Sequence, residues 1–273
     1  MVEGLCGVVV MPRPRVAAPV WAAKIRTRLR ILRAGNYVAV ASERPTGRVL
    51  GVDACKAGWI GIALGSGQVT AYTAARIDEL VATVSMDGPV AVVAIDIPIG
   101  LPDAGPRQAD DLAHAAVGAR WPSVFKTPVR EALRAPDHVA AIAINRRLAG
   151  AGVTAQAFAL RTKLLQVDAW VRDVDLRVVE VHPEVSFAAL AGASLPDPKT
   201  TWAGATHRRS LLAEAGIRLP DDLGAAGSGA AVDDVLDAAV AAWTARRVAH
   251  GQAKAMPDPP EFFSDNLPAA IWA

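Results

Sequence analysis

The chain has 273 residues, 52% hydrophobic and 21% charged, a composition that supports a sizeable core and excludes intrinsic disorder of the whole chain. Its apolar stretches are far shorter than the roughly 18–20 residues that a membrane-spanning helix requires. The two cysteines exclude a disulfide framework, and no CxxC or Cys/His spacing indicates zinc. We therefore expect a cytoplasmic protein that has no membrane partner.

The charge is unevenly distributed along the chain. Residues 1–47 carry eight Lys and Arg against two acids, which leaves 21 basic and 25 acidic side chains in residues 48–273. The formal net charge of +2 therefore comes from the N-terminal stretch and does not predict nucleic-acid binding by the remainder. We interpret residues 1–47 as a basic N-terminal extension, either a disordered arm or a stretch that is not native, with a short amphipathic helix around residues 21–32 as the alternative.

The elements predicted from Arg48 onward mix strands and helices without an internal repeat. Strands are expected over residues 48–52, 59–64, 68–73, 90–95 and 176–181. Helices are expected over residues 77–84, 107–117, 138–148, 155–171, 207–215 and 232–250. This order favours one α/β domain over residues 48–273, a mixed five-stranded sheet flanked by helices, with a helical insertion between strands 4 and 5.

Aspartates follow two strands of the predicted sheet. Asp53 comes directly after the first strand and Asp96 directly after the fourth, so both carboxylates reach one sheet edge if these strands are neighbours. The last helix adds Asp233, Asp234 and Asp237, of which the latter two share a face. Carboxylates gathered this closely repel one another unless cations separate them, and Mg²⁺ or Mn²⁺ would do so while favouring phosphate-bearing substrates.

Each of these aspartates also has a purely structural explanation. Asp233 and Asp234 could cap the last helix, and Asp53 and Asp96 could be ordinary turn residues. Asp237 lies inside the helix, where neither explanation applies. The joint placement favours a site in which divalent ions activate a water molecule and stabilise the leaving oxygen of a phosphodiester.

Five motifs give the chain a family resemblance. They are GVDACKAGW at 51–59, AIDIPIGLPD at 94–103, SVFKTPVR at 123–130, EVHPEVSF at 180–187 and DDVLDAAVAAWTA at 233–245. In order and spacing they resemble the family called domain of unknown function 429, described as predicted ribonuclease-H-like nucleases, over nearly all of residues 48–273. The resemblance implies a ribonuclease-H-like fold, in which acids on the first strand, the fourth strand and the last helix bind the metals.

The metal-binding positions implied by the resemblance match Asp53, Asp96 and either Asp234 or Asp237. The acidic pair on the last helix resembles the arrangement in Holliday-junction resolvases. The chain departs from the family's usual Gly, Arg and Gly at Ala54, Lys56 and Ala57. These departures leave Asp53 intact and affect the loop that follows it.

Glu180, His182 and Glu184 alternate at the end of the fifth predicted strand, so all three side chains would lie on one face if Pro183 did not intervene. In a functional interpretation Glu184 is a further metal ligand and catalytic residue, and His182 carries a proton near neutral pH. In the structural alternative His182 is a hydrogen-bonded residue that fixes the end of the strand.

Basic side chains concentrate in the predicted helical insertion. Within residues 120–163 there are two acids, Glu131 and Asp137, and eight basic residues: Arg120, Lys126, Arg130, Arg134, Arg146, Arg147, Arg161 and Lys163. This stretch is a candidate phosphate-binding face, although a solvated helical surface is the alternative. We predict substrate binding by Lys56, Arg130 and Lys163.

The sequence therefore predicts a metal-dependent nuclease that hydrolyses phosphodiester bonds of nucleic acid, with a nucleic acid or nucleotide as its partner. Two alternatives stay open, a hydrolase of a small phosphorylated molecule and a non-catalytic binding or regulatory protein with the same fold. The acidic balance of residues 48–273 argues against tight non-specific binding to long duplexes.

Overall fold

A computed structural model describes residues 47–273, so the predicted N-terminal extension lies outside the described residues except for Gly47. The strands are β1 (Arg48–Cys55), β2 (Gly58–Gly65), β3 (Gln68–Ala74), β4 (Val90–Ile95), β5 (Arg177–Val181), β6 (Ala255–Phe262) and β7 (Pro268–Trp272). They form one mixed sheet of seven strands in the order β3-β2-β1-β4-β5-β7-β6. The α/β class with a sheet flanked by helices is confirmed.

Helices connect and cover these strands. They are α1 (Ile77–Met86), α2 (Gln108–Val117), α3 (Arg130–Leu133), α4 (His138–Ala149), α5 (Ala155–Ala159), α6 (Arg161–Asp173), α7 (Pro183–Ala191), α8 (Trp202–Glu214), α9 (Gly224–Gly229) and α10 (Val232–Ala249). A 3₁₀-helix over Gly118–Ser123 follows α2. Within residues 47–273, every helix is too short or too polar to cross a bilayer.

The pairing of the strands determines which strand ends lie side by side in the sheet. Strands β1, β2 and β3 form an antiparallel meander, whereas β1 pairs with β4, β4 with β5, and β5 with β7 in parallel. The first and fourth strands are therefore neighbours, which is the condition for Asp53 and Asp96 to reach the same place. Their carboxyl ends lie together, as the candidate site requires.

The sheet has two more strands than the sequence predicts. Strand β6 contains Pro257, Pro259 and Pro260, lacks alternation of apolar residues, and forms the last strand of the sheet beside the antiparallel β7. An edge strand tolerates prolines because the missing N–H groups need no partner on the open side. Proline content thus hides this hairpin from a pattern-based prediction.

Two predicted helices also differ in extent. The single helix expected over residues 155–171 is divided into α5 and α6 at Leu160, and the helix expected over residues 207–215 begins earlier, at Trp202. The earlier start follows from Thr201, whose hydroxyl accepts a hydrogen bond from the Gly204 N–H at 3.1 Å and caps α8.

The two faces of the sheet bury different sets of side chains. Leu50 and Val52 of β1 pack with α1 and α6 on one face, whereas Val49 belongs to the cluster formed with α10 on the other. Because side chains alternate along a strand, Gly51 and Asp53 share the α10 face. The first carboxylate of the candidate site therefore points toward α10.

Helix α10 approaches β1 unusually closely. A Cβ atom on Gly51 would lie 2.0 Å from the backbone nitrogen of Ala242 and 2.2 Å from the carbonyl oxygen of Ala238. Only glycine fits at this position, and the alanines of α10 provide the matching flat surface. The contact brings the N-terminal part of α10, with Asp237, to the end of β1.

We expect Gly51→Ala to lower the free energy of unfolding by about 1–3 kcal/mol, because the added methyl group collides with helix backbone that cannot move without repacking. Thermal unfolding followed by circular dichroism measures the loss. Gly229→Ala is the matched control, since a Cβ atom there meets no atom within 4 Å. Equal melting temperatures for the two variants would contradict the close packing of α10 on β1.

Candidate metal and active site

The ladder between β1 and β4 ends at the candidate site. Its last bond runs from the Asp96 N–H to the Val52 carbonyl at 3.0 Å, after which the chain beyond β4 turns away. Strand β1 continues beside β2 for three more residues, so Asp53 is paired with Ile60 on one side only. The two aspartates consequently flank the point at which the strands separate.

A cavity of about 500 Å³ opens at this point. Its floor is formed by the ends of β1, β4 and β5 and the start of α10, and its walls by the 3₁₀-helix, α5 and the loop before α8. The charged residues of the lining are Asp53, Asp96, Asp110, Glu180, Glu184, Asp234, Asp237, Arg120 and Lys199, accompanied by His182. All six residues predicted to be catalytic therefore line one cavity.

Two of the aspartates, Asp53 and Asp237, are held out of solvent. Asp53 is 6% exposed and Asp237 only 1% exposed. The Oδ1 atom of Asp53 accepts a hydrogen bond from the Ala54 N–H at 2.6 Å, whereas Oδ1 of Asp237 is buried without a hydrogen-bond partner. A buried carboxylate oxygen without a partner is costly unless a cation or a donor reaches it.

Burial and mutual repulsion make charge on all three aspartates unfavourable. Burial, together with the negative charge of Asp237, raises the pKa of Asp96 to about 8. Burial and Asp96 likewise raise the pKa of Asp53 well above its usual value. Burial raises the pKa of Asp237 to about 6, although Lys199 beside it acts in the opposite direction. A cation placed among these groups would stabilise their charged forms.

Asp234 has both of the roles that the sequence allowed, since it caps α10 and belongs to the lining of the cavity. Its Oδ2 accepts a hydrogen bond from the Ala231 N–H at 3.3 Å, so it supports the first turn of α10, and it also lines the cavity. Asp237 lies one turn further along α10 and faces the same cavity. Of the two, Asp237 is the more deeply buried.

Pro183 does intervene, and Glu180, His182 and Glu184 do not share one strand face. Strand β5 ends at Val181, and Pro183 occupies the first position of α7, where its fixed φ and missing N–H are favourable. Glu184 therefore belongs to the first turn of a helix. All three side chains still reach the cavity, though from different elements.

Each of the two glutamates is paired with a buried arginine. Oε2 of Glu180 accepts hydrogen bonds from Arg107 Nη2 at 2.6 Å and from the Ile99 N–H at 2.8 Å. Oε1 of Glu184 accepts one from Arg208 Nη2 at 2.7 Å. Both arginines are fully buried, so these ion pairs are permanent parts of the cavity edge.

His182 lies at the junction of β5 and α7 as a neutral imidazole. Burial lowers its pKa to about 4, away from the neutral range that proton transfer near pH 7 requires. Its Nε2 lies 3.4 Å from the Ser123 carbonyl oxygen, and its Nδ1 is buried without a partner. The geometry suits hydrogen bonding to a ligand better than carrying a proton.

The predicted substrate-binding residues do not line the cavity. Lys56 is exposed on the turn between β1 and β2, and Arg130 forms ion pairs with Asp168 and Asp265. Lys163 donates a hydrogen bond to the Cys55 carbonyl at 2.7 Å and thereby supports the turn that follows Asp53. Substrate binding by these three residues stays a prediction that the described contacts do not favour.

Lys199 is the residue that the sequence analysis missed. It lies in the loop between α7 and α8, its Nζ donates a hydrogen bond to Oδ2 of Asp237, and the same atom lies 3.8 Å from Oδ2 of Asp233. A single lysine in a stretch rich in Pro and Gly carries no pattern that indicates a site. Lys199 lies two residues before Thr201, which caps α8, and this position is the one local indication that the backbone of Lys199 is fixed.

Comparison with known proteins identifies the family. The model of the family described as protein of unknown function (DUF429) matches residues 51–262, and the chain belongs to that family. No curated protein and no solved structure matches the chain.

We expect Asp96→Asn to flatten the pH dependence of stability in the metal-free protein. The folded-state pKa of about 8 exceeds the unfolded value of about 3.9, so folding retains a proton between these values. The stabilisation from this group is therefore complete below about pH 4 and is lost as the pH rises toward 8. The asparagine variant has no proton to lose.

Melting temperatures from pH 5 to 8 in the presence of a chelator measure this difference. Asp103→Asn is the control, because hydrogen bonds from Ser264 lower the pKa of that surface carboxyl. Parallel pH profiles for wild type and Asp96→Asn would show that Asp96 is not held in its protonated form.

Proposed function

We propose that this member of the DUF429 family is a metal-dependent phosphodiesterase that acts on nucleic acid or a nucleotide at the carboxylate-lined cavity. The observation that carries the proposal is the convergence of Asp53, Asp96 and Asp237 from β1, β4 and α10 in one cavity, with an unpartnered buried oxygen on Asp237. The strand order β3-β2-β1-β4-β5 supports a ribonuclease-H-like fold, and the helices from α2 to α6 correspond to the expected insertion.

The chemistry of the donors fits Mg²⁺ or Mn²⁺. Carboxylate oxygens are the ligands that these hard ions prefer, and the unpartnered oxygen of Asp237 is a ready acceptor. In residues 47–273, no three His, Cys, Asp or Glu side chains stand close enough together to hold one ion without rearrangement. Asp53, Asp96 and Asp237 would hold the metal, with Asp234 beside them, once their side chains have rearranged.

A bound divalent ion supplies the activation of water and the neutralisation of phosphate charge. The residues of the chain then orient and enclose the substrate. Neutral His182 offers a hydrogen bond from the cavity wall without adding charge, and the Arg107–Glu180 and Arg208–Glu184 pairs hold the edges of β5 and α7 in place.

The size and charge of the cavity restrict the substrate. A volume of about 500 Å³ lies within the roughly 300–1,000 Å³ of small-molecule sites. Seven acidic and two basic side chains line it, whereas duplex-binding surfaces are strongly positive and bury roughly 1,000–2,500 Å² of protein. These features favour a nucleotide-sized ester or a single-stranded end over a long duplex.

A small phosphorylated molecule is the second candidate substrate. The observation in its favour is the enclosure of the aspartates, since Asp53 and Asp237 lie at the floor of the cavity beneath walls supplied by the 3₁₀-helix and α5. A compact ester reaches this floor without unwinding or bending. With either substrate a metal-activated water would attack phosphorus and release an alcohol, leaving a phosphomonoester from a diester or inorganic phosphate from a monoester.

We expect Asp53→Asn to abolish tight Mn²⁺ binding and to lower hydrolysis by at least about 100-fold, because loss of a direct ligand exceeds the 10–100-fold cost of an outer-shell change. Calorimetry measures metal binding. Hydrolysis is measured on single-stranded, duplex, hybrid and branched nucleic acids, on nucleoside monophosphates and on a simple aryl phosphodiester.

Asp103→Asn serves as the control, since that carboxylate is bonded to Ser264 on the surface and does not line the cavity. Cleavage of strand ends would support the nuclease, and cleavage of only the small esters would support the second candidate. Wild-type turnover in Asp53→Asn, or metal-independent turnover, would refute the proposed chemistry.

A further inference from the structure

The ammonium group of Lys199 lies among the aspartates of the cavity. Its Nζ donates a hydrogen bond to Oδ2 of Asp237 and lies 3.8 Å from Oδ2 of Asp233. Its positive charge also acts to lower the pKa of Asp53 and of Asp96, against the larger opposing effect of burial. The position is the one in which a cation best offsets the repulsion between these groups.

The loop that carries Lys199 is firmly positioned. The Pro198 carbonyl accepts hydrogen bonds from the Thr201 N–H at 3.0 Å and from its hydroxyl at 2.8 Å. A Cβ atom on Gly204 would lie 2.0 Å from the same carbonyl, so α8 begins in direct contact with the loop. Buried Arg208 donates to the Asp197 carbonyl at 3.1 Å. The backbone on either side of Lys199 is therefore fixed.

Of the nearby basic side chains, Lys199 is the one paired with Asp237, whereas the Lys163 ammonium, which also acts on Asp53 and Asp234, donates to the Cys55 and Gly58 carbonyls. Arg120, the second basic residue of the lining, directs its guanidinium to the carbonyls of Leu195 and Pro196. The charge of Arg208 is matched by Glu184. Among the basic residues that line the cavity, only Lys199 forms an ion pair with the site aspartates.

We propose that the Lys199 ammonium is the resident counter-ion of Asp53, Asp96 and Asp237, and that a divalent metal must displace it from Asp237 in order to bind. The proposal rests on the metal site put forward under the proposed function. It explains why the described carboxylates do not stand in ligand geometry although their donor chemistry suits a metal. The fixed loop and flexible lysine stem allow the ammonium to leave while its backbone stays in place.

The displacement of Lys199 by a divalent metal does not require Lys199 to lose its proton. Burial acts to lower the pKa of Lys199, but Asp237, Asp53 and Asp96 together outweigh burial and raise that pKa above its usual value. The lysine side chain therefore leaves Asp237 as a monovalent cation, and a divalent metal ion takes its place. Removing this cation should strengthen metal binding and weaken the metal-free fold.

The test compares Mn²⁺ binding by calorimetry at one pH in full-length wild type, Lys199→Met and Lys126→Met. Lys126 is the matched control, because its ammonium pairs with Asp111 on the surface, where it is 42% exposed, and it does not line the cavity. We expect Lys199→Met to bind Mn²⁺ about tenfold more tightly than wild type, equivalent to about 1.4 kcal/mol. The control should bind as wild type does.

Thermal unfolding supplies a readout that needs no activity. In a chelator, Lys199→Met should melt below wild type, because the aspartates lose their counter-ion, and saturating Mn²⁺ should remove this deficit. Lys199→Gln keeps a donor for Asp237 without the charge and serves as the second variant if the methionine protein does not fold. It should also bind Mn²⁺ more tightly than wild type.

The outcomes separate this inference from the proposed function. Equal or weaker Mn²⁺ affinity in both Lys199 variants, with binding retained in wild type, would overturn the competition and leave the metal-dependent enzyme standing. Absence of Mn²⁺ binding in every protein would overturn both, because there would be no metal for the ammonium to exclude. Tighter binding in Lys126→Met as well would show a general charge effect and would overturn the specific role of Lys199.

Discussion

The close approach of α10 to β1 is the contact on which the candidate site depends. Because Gly51 has no side chain, the backbone of α10 packs directly on β1. The alanines of α10 are small enough to contact the sheet without holding the helix away from it. Because Asp53 follows on the same strand face, the spacing between helix and strand also sets the spacing between Asp53 and Asp237. A packing constraint in the core thereby becomes a distance constraint between two carboxylates.

Two kinds of acid surround the cavity. Glu180 and Glu184 are neutralised by buried arginines, whose charge is permanent and whose geometry is fixed by several hydrogen bonds. Asp237 is instead paired with the flexible ammonium of Lys199, which also acts on Asp53 and Asp96. Removing one partner of a buried ion pair is costly, so each glutamate is held by its arginine, and the metal-binding role of Glu184 stays a prediction. The aspartates differ from the glutamates because their counter-ion, the Lys199 ammonium, is able to be replaced by another cation.

The sequence predicted what depends on local pattern and missed what depends on distant partners. Strand periodicity located β1 to β5, and the rule that parallel strands end at one edge brought Asp53 together with Asp96. Prolines concealed β6. Charge alone could not reveal that Arg130 is bound to Asp265, 135 residues away, or that a loop lysine reaches α10. Such pairings exist only after the chain has folded.

The separation of Asp53 and Asp237 along the chain has a consequence for how the protein is made. At roughly 5–20 residues per second, a ribosome needs on the order of 10–40 s to pass from the first aspartate to the second. Until then the face of β1 and β2 that carries Val49, Ile60 and Ile62 has no α10 to cover it. Any sheet formed before then would expose this apolar face and lack Asp237, and the docking of α10 both covers the face and brings the three aspartates together.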